Sequence, residues 1–369
     1  MDTEVVVIGA GVVGIAIASK LAVEGYSTIL LEKEAKFGTG ISSRNTEVIH
    51  AGIYYQTDSL KGQLCLRGKH LLYEFCEKYH IDHKRTGKIL LAVTQDEIPK
   101  IELTYKQAIA NGLNDLVVLD KKQLKELEPE LNGQMALLSP SSGILDTYGL
   151  MKTLLGIGQS HEMLFAGLSP VEDAEKIEGG WKLIIGGQEP TSITSRIVIN
   201  SAGLHAITLS NKVFPKFKTP KLQPTKGCYL RYTGKSPISH IVYPAVIPGK
   251  IESRVDATPD LGNNLRFGPN IEEAESIEDF SLRAEMVNEF TPAIRRYLPN
   301  LDTSRLSLDT AGIRPKIHGS NDPVSDFYIE WVEDQEGWLN LFGMESPALT
   351  SSLSIAEYVY KCLQEMFYK

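Results

Sequence analysis

Residues 42 to 55, SSRNTEVIHAGIYY, gather an arginine, a glutamate, a histidine and two tyrosines around one Ala-Gly step. Such a stretch is either a crowded polar loop or the wall of a site where hydrogen is taken from a substrate. His50 has the right chemistry for the second role, because imidazole titrates near neutral pH and can take a hydroxyl proton. As an ordinary loop residue it would only hydrogen-bond backbone. Far along the chain, Arg314 in GIRPK offers a planar fork that matches a carboxylate with two parallel hydrogen bonds. An arginine before proline is otherwise an extended surface residue. Tyr54, Lys226 and Tyr243 could shape or charge a pocket, although strand tyrosines commonly pack and lone lysines are commonly solvated.

The opening segment supplies a frame for these groups. EVVVIGAGVVGIAIASKLAVEGYSTILLEKE reads as strand, tight turn, helix, strand, with Gly9, Gly11 and Gly14 at GxGxxG spacing. Gly9 permits the turn, Gly11 lets the backbone approach a pyrophosphate, and Gly14 with Ala18 lets the helix lie close on the strand. The helix N-terminus presents free N–H groups to the diphosphate. Glu32, 18 residues past Gly14, can accept hydrogen bonds from both ribose hydroxyls of an adenosine and would repel a 2′-phosphate. That disfavours NADP and leaves FAD or NAD. GIGQSH from Gly156 imitates half of the fingerprint but has His161 at the third glycine, and reads as a helix end. An enzyme that docked a nicotinamide beside FAD would usually carry a second complete fingerprint.

The whole-chain numbers narrow the class. A chain of 369 residues is long enough for two lobes, and its 42% apolar and 23% charged content is ordinary for a globular protein. Thirty-eight basic against forty-six acidic residues give a net charge of −8, which opposes binding to nucleic acid. Cys65, Cys76, Cys228 and Cys362 lie far apart without a CxxC, so neither a metal nor a redox dithiol is suggested and a reducing cytosol fits. The start lacks a basic n-region, and no apolar run reaches membrane-spanning length.

Between these landmarks, residues 59 to 80 are expected to be helical, with Leu64, Leu71, Leu72, Phe75 and Cys76 facing inward. KRTGKILLAVT reads as a strand and residues 96 to 111 as a second amphipathic helix. Asp146 or Thr147 can cap a further helix, and EKIEGGWKLIIGG is a hairpin signal. The apolar strand Ile197 to Ile199 runs into Ala202 and Gly203, a small pair where an open α/β sheet tolerates a ligand. Residues 216 to 310 alternate apolar with polar, as an antiparallel lobe would. The closing SPALTSS offers another helix N-terminus.

Taken in order, the Rossmann fingerprint with its acid, SSRNTEVIHAGIYY, INSAGLHA, GIRPK and the closing glycine-serine-proline loop resemble the D-amino-acid-oxidase-like FAD oxidoreductases. Within them the chain is most similar to the L-2-hydroxyglutarate dehydrogenases and oxidases, over nearly its full length. The resemblance implies a two-lobed α/β fold. A discontinuous Rossmann-like FAD domain (1–83, 145–215 and 311–369) would join a mostly antiparallel substrate domain (84–144 and 216–310). It implies adenosine at Glu32 and Lys33, adenine against Val171, and diphosphate and flavin along Ser43 and Arg44. Ser346, Pro347, Ala348, Leu349 and Thr350 would approach the pyrimidine end of the ring.

The implied activity is oxidation of an L-2-hydroxy dicarboxylate, most simply L-2-hydroxyglutarate to 2-oxoglutarate. His50 would take the hydroxyl proton as hydride leaves C2 for flavin N5, with Arg314 on a carboxylate and Tyr54, Lys226, Tyr243 and Asp256 around the substrate. Amine or amino-acid oxidation, or flavin binding without turnover, are the alternatives. The electron acceptor would be a quinone or oxygen, reached from the cytoplasm, with loose peripheral association at the inner face of the membrane a further expectation. Two positions depart from the family pattern: Asp256-Ala257-Thr258 replaces a His-x-Thr, and Ala348 replaces a glycine. An acid at 256 would be expected to repel a dicarboxylate or to select a different substrate, and a methyl at 348 to crowd the ring and limit positive φ.

Overall fold

The computed structural model describes residues 1–245, 254–318 and 325–367. Its first sheet is built on the strand Thr3–Ile8, which pairs in parallel with Thr28–Leu31 on one side and Thr191–Asn200 on the other. Val5 and Val7 pack into one apolar cluster with the helix Val12–Val23, while Val6 and Ile8 pack into another with Trp181 and Trp338. Both faces are therefore covered, which is why this run is uniformly apolar rather than alternating. Thr191–Asn200 is long enough to serve two neighbours along one edge: its first half continues into the hairpin Gly180–Ile185 and Val171–Ile177, its second half pairs with Trp338–Phe342. Leu164–Ala166 extends the sheet beyond Thr28–Leu31.

The second sheet is antiparallel except where Ile241–Pro244 runs parallel to Lys88–Ala92. Its spine is the pair Lys221–Tyr232 and Leu306–His318. Met286, Phe290, Ile294 and Tyr297, one stripe of the helix Met286–Tyr297, cover one face. On the other, Leu90, Ala92 and Tyr243 pack against Ala51, Ile53, Ile101 and Ala108. The strand carrying GIRPK belongs wholly to this sheet. The expected domain boundary at 310/311 thus cuts through a continuous strand, because register with Lys221–Tyr232 runs on to His318.

Most local expectations hold. The helix Leu60–Tyr79 buries Leu64, Leu72 and Cys76, the Asp146 carboxylate caps Thr147–Ser160 by accepting from Gly149 N at 2.9 Å, and Gly156 lies inside that helix. The expected 96–111 helix begins as a 3-10 turn, Gln95–Glu97, and continues as Ile98–Ala110. A small third sheet, Val48–Ile49 with Gly143–Leu145 and His83–Lys84, ends at His50 and fixes where that residue emerges.

Candidate active site

One cleft of about 1480 Å³ is lined by both sheets and runs from Glu32 and Val171 to Tyr54 and Tyr243. At its first end Gly9 and Gly14 stand where the backbone turns and crosses closely. Gly9 holds φ at +100°, and a Cβ there would lie 2.5 Å from Ser201 O; a Cβ on Gly14 would lie 1.9 Å from Gly9 O. Ser42 Oγ accepts a hydrogen bond from Val12 N at 3.0 Å, so the arginine-containing loop closes over the helix N-terminus. Glu32 is already oriented, its two oxygens accepting from Ala10 N at 2.8 Å and Glu34 N at 3.0 Å. Lys33 contacts His205 across 3.1 Å, and Ala202 and Gly203 line the same stretch. Arg44 lies 4.1 Å from the centre of the Phe280 ring, and its buried Nε has no hydrogen-bond partner among the described residues. A bare-backbone cradle, a fixed acid and an unsatisfied guanidinium N–H fit a dinucleotide diphosphate.

The second end is organised around His50. Its backbone N–H donates to Thr350 Oγ1 at 2.9 Å, and Thr350 Oγ1 reaches Val48 O at 3.3 Å. The ring contacts Ser346 Oγ through Nε2 at 3.1 Å and Lys88 Nζ through Nδ1 at 3.2 Å. Lys88 is 1% exposed; its ammonium sits 4.7 Å from the Tyr243 ring centre and 5.3 Å from that of Tyr54. Burial and the charges of Lys88, Arg254 and Arg314 hold the His50 imidazole well below its usual pKa. Burial, with Arg254 adding to it, brings Lys88 down to about 8. A second positive charge on His50, 3.2 Å from an ammonium, would cost about 5 kcal/mol at an effective dielectric constant of about 20. His50 is therefore neutral in the resting site.

Asp256 departs most from the sequence expectation. It lines the cleft, but Arg254 donates to it through a two-bond fork, Nε to Oδ1 at 2.6 Å and a terminal nitrogen to Oδ2 at 3.1 Å. Burial raises the carboxyl above its ordinary pKa, with Arg254 opposing. The acid is thus neutralised, and the expected repulsion of a dicarboxylate is corrected by a cation two residues away. The Arg254 guanidinium lies 4.7 Å from the Tyr243 ring centre. The Tyr54 hydroxyl is buried without a hydrogen bond of ordinary geometry among the described residues. Arg314 lines the cleft in contact with Tyr229.

Other assignments shift. Lys226 does not line the cleft; its ammonium is held by Asp279 Oδ2 at 2.8 Å and Ser281 Oγ at 3.1 Å, so it is no substrate contact. Ser43 turns its hydroxyl onto the carbonyls of Thr39 and Gly40, and the neighbouring Ser42 faces the cleft instead. Thr350 is fully buried and acts by fixing the His50 backbone, whereas Ser346, Pro347, Ala348 and Leu349 line the wall. Ala348 opens the helix Ala348–Phe367, where negative φ suits alanine, so the expected positive-φ conflict does not arise. Lys88 and Arg254 are the functional groups the sequence reading missed. Lys88 begins the run KILLA, and period-two alternation puts it on the face of Leu90 and Ala92, toward His50.

The family model for FAD dependent oxidoreductases (DAO) matches residues 4–361. The chain belongs to this family. This FAD-dependent oxidoreductase is 35% identical over 400 residues to the mitochondrial L-2-hydroxyglutarate dehydrogenase of Arabidopsis thaliana, an alignment covering 96% of this chain and 82% of the relative. It is 28% identical over 367 residues to the glycerol 3-phosphate dehydrogenase of Caloramator mitchellensis, covering 98% and 74%. Among solved structures, the L-alpha-glycerophosphate oxidase of Mycoplasma pneumoniae with FAD bound superposes with a TM-score of 0.89 at 22% identity, covering 100% of this chain and 95% of that one. The glycine oxidase of Geobacillus kaustophilus gives 0.83 at 21% identity, covering 98% and 95%. These superpositions establish the DAO fold. The cofactor is FAD, and the glycine cradle, Glu32 and Arg44 are the residues suited to hold it.

Proposed function

We propose that the protein oxidises an L-2-hydroxy dicarboxylate, L-2-hydroxyglutarate giving 2-oxoglutarate. The observation that carries this is the charge arrangement at the second end of the cleft: a neutral imidazole with Arg254 and Arg314 on the lining against one acid, Asp256, already paired. Such a site attracts a dianion and repels an ammonium, which disfavours the amine-oxidase alternative. Arg314 supplies the fork for the carboxylate beside the reacting carbon, Arg254 faces the distal carboxylate, and His50 receives the hydroxyl proton. Bound FAD supplies the two-electron acceptor. Ser346 and Thr350 fix the ring and backbone of His50, and Tyr54 offers its buried hydroxyl to the substrate.

The similarity to the Arabidopsis dehydrogenase supports the hydroxyglutarate reading. The Caloramator relative favours a second one, a polyol phosphate, whose dianion the same cations could hold. We assign reoxidation to a quinone or oxygen. No helix among the described residues is long and apolar enough to cross a membrane. We assign the enzyme to the cytoplasm, with loose contact at the membrane's inner face, a reducing setting that the free cysteines suit. Anaerobic bleaching of bound flavin tests the assignment: fast with L-2-hydroxyglutarate, slow with its D enantiomer and with glycerol 3-phosphate, and slow with L in a His50→Ala variant. Bleaching by glycerol 3-phosphate alone would transfer the assignment to the second reading.

A further inference from the structure

Lys88 is a buried lysine with no ion pair to a carboxylate among the described residues. Asp256, the acid whose charge acts on it, is forked by Arg254. Among the described residues, the titratable and charged groups facing it come from four segments: His50 with Tyr54, Cys65, Tyr243, and Arg254 with Asp256. The Cys65 thiol is pushed up to about 12 by burial and stays protonated. Lys88 does not line the cleft; it lies behind His50 and meets it through Nδ1, while Nε2 points toward Ser346 on the cleft wall.

This geometry creates a tautomer problem. A charged lysine can only donate, so it would donate to Nδ1 and place the imidazole proton on Nε2. His50 would then present an N–H to the substrate hydroxyl and could not take its proton. A neutral lysine reverses this, accepting from Nδ1–H and leaving the Nε2 lone pair directed at the cleft.

We propose that Lys88 is a positioning residue that works as a neutral amine, holding the His50 proton on Nδ1 and receiving it when the substrate hydroxyl proton arrives at Nε2. The balance is simple. The substrate O–H bond breaks as Nε2–H forms, Nδ1–H breaks as the third N–H of an ammonium forms on Lys88, and the C2 hydride leaves to FAD. His50 never becomes an imidazolium beside an ammonium. After product leaves, the proton returns through His50 to solvent. The inference rests on His50 being the base of the proposed reaction, and it explains how an imidazole surrounded by cations can serve as one.

Two measurements test it on the FAD-loaded protein. The first needs no substrate: the ¹³Cδ2 and ¹⁵N shifts of labelled His50, assigned by comparison with His50→Gln, are followed from pH 6 to 10. We expect the Nε2–H tautomer at low pH and Nδ1–H at high pH, crossing near pH 8 where Lys88 ionises. The second is the rate of anaerobic flavin reduction against pH, expected to rise through the same midpoint in wild type. In Lys88→Arg, permanently charged, and in Lys88→Met, without an amine, it should fall about 10²-fold or more and lose that limb. A structural need for a cation would instead be rescued by arginine. The proposal is overturned by a His50 tautomer unchanged over the range, or by Lys88→Arg within about threefold of wild type with the limb intact. If a variant fails to retain FAD, the wild-type tautomer titration decides alone. If the tautomer switches but L-2-hydroxyglutarate does not bleach the wild-type flavin, the substrate reading falls and the Lys88–His50 pairing stands.

Discussion

Replacing Arg254 by leucine exposes the conflict that the Arg254–Asp256 fork resolves. Two losses add. The substrate loses a charge-assisted hydrogen bond of about 1.5–3 kcal/mol, and the bared Asp256 faces a substrate carboxylate. Two like charges about 5 Å apart repel by about 3 kcal/mol at an effective dielectric constant of about 20. That repulsion is limited by protonation of Asp256, whose carboxyl burial already raises and which would rise further without its partner. Neutralising it costs about 1.4 kcal/mol per unit that the assay pH exceeds its pKa. Near pH 8 the sum is about 3–5 kcal/mol, a fall in kcat/KM of about 10²- to 10³-fold or more.

Asp256→Asn alone should lower kcat/KM modestly, about tenfold or less, because Arg254 loses its anchor but keeps its charge. In the Arg254→Leu background the same change should raise kcat/KM about tenfold by removing the repulsion. The assay is the anaerobic flavin-reduction rate with L-2-hydroxyglutarate for the four proteins of the cycle, at pH 6 and pH 8. The Arg254→Leu defect should be smaller at pH 6, where more Asp256 is protonated. Equal effects of Asp256→Asn in both backgrounds would refute the coupling, and with it the claim that the acid is tolerated only because Arg254 holds it.

The remaining expectations address separate parts of the cleft. Gly14→Ala forces a Cβ to within 1.9 Å of Gly9 O; it should weaken FAD binding at least tenfold in a fluorescence-quench titration and lower the holoenzyme melting temperature. His50→Gln should retain FAD at wild-type affinity yet reduce flavin about 10²- to 10⁴-fold more slowly in stopped flow. Thr350→Val removes the acceptor for His50 N at 2.9 Å; kcat should fall about tenfold with KM nearly unchanged. Lys226→Met, which breaks the Asp279 contact away from the cleft, should lower the melting temperature and leave KM for substrate unchanged.

Local chemistry made the first lobe legible. The run before Gly9 is apolar at every position because both faces of that strand are covered, and Gly9 and Gly14 are required where the backbone crosses within van der Waals contact. Asp146 announced a helix start because a short acid before TYGL has few better uses than accepting from Gly149 N. The domain boundary near 310 was not legible. Residues 311–318 carry family-like motif residues, but their sheet is chosen by a partner strand some 90 positions earlier, and no local pattern records that pairing.

The site shows the same division more sharply. His50 and Arg314 could be nominated because an imidazole and a guanidinium advertise their chemistry wherever they stand. Lys226 was nominated on the same ground and proved to be paired with Asp279, while Lys88, the lysine that meets His50, stands in a strand whose neighbours read as core. What distinguishes the two lysines is the charge opposite each, and sequence does not supply it. Asp256 carries the lesson furthest. Read singly, it argues against an anionic substrate. Read with Arg254 two residues earlier, whose guanidinium forks onto it, it is a charge-balanced acid, and under the proposed function it anchors the cation that would accept an anionic substrate. An acid near an expected anion site should therefore prompt a search at i−2 and i+2 for the arginine that would cancel it, before the substrate class is abandoned.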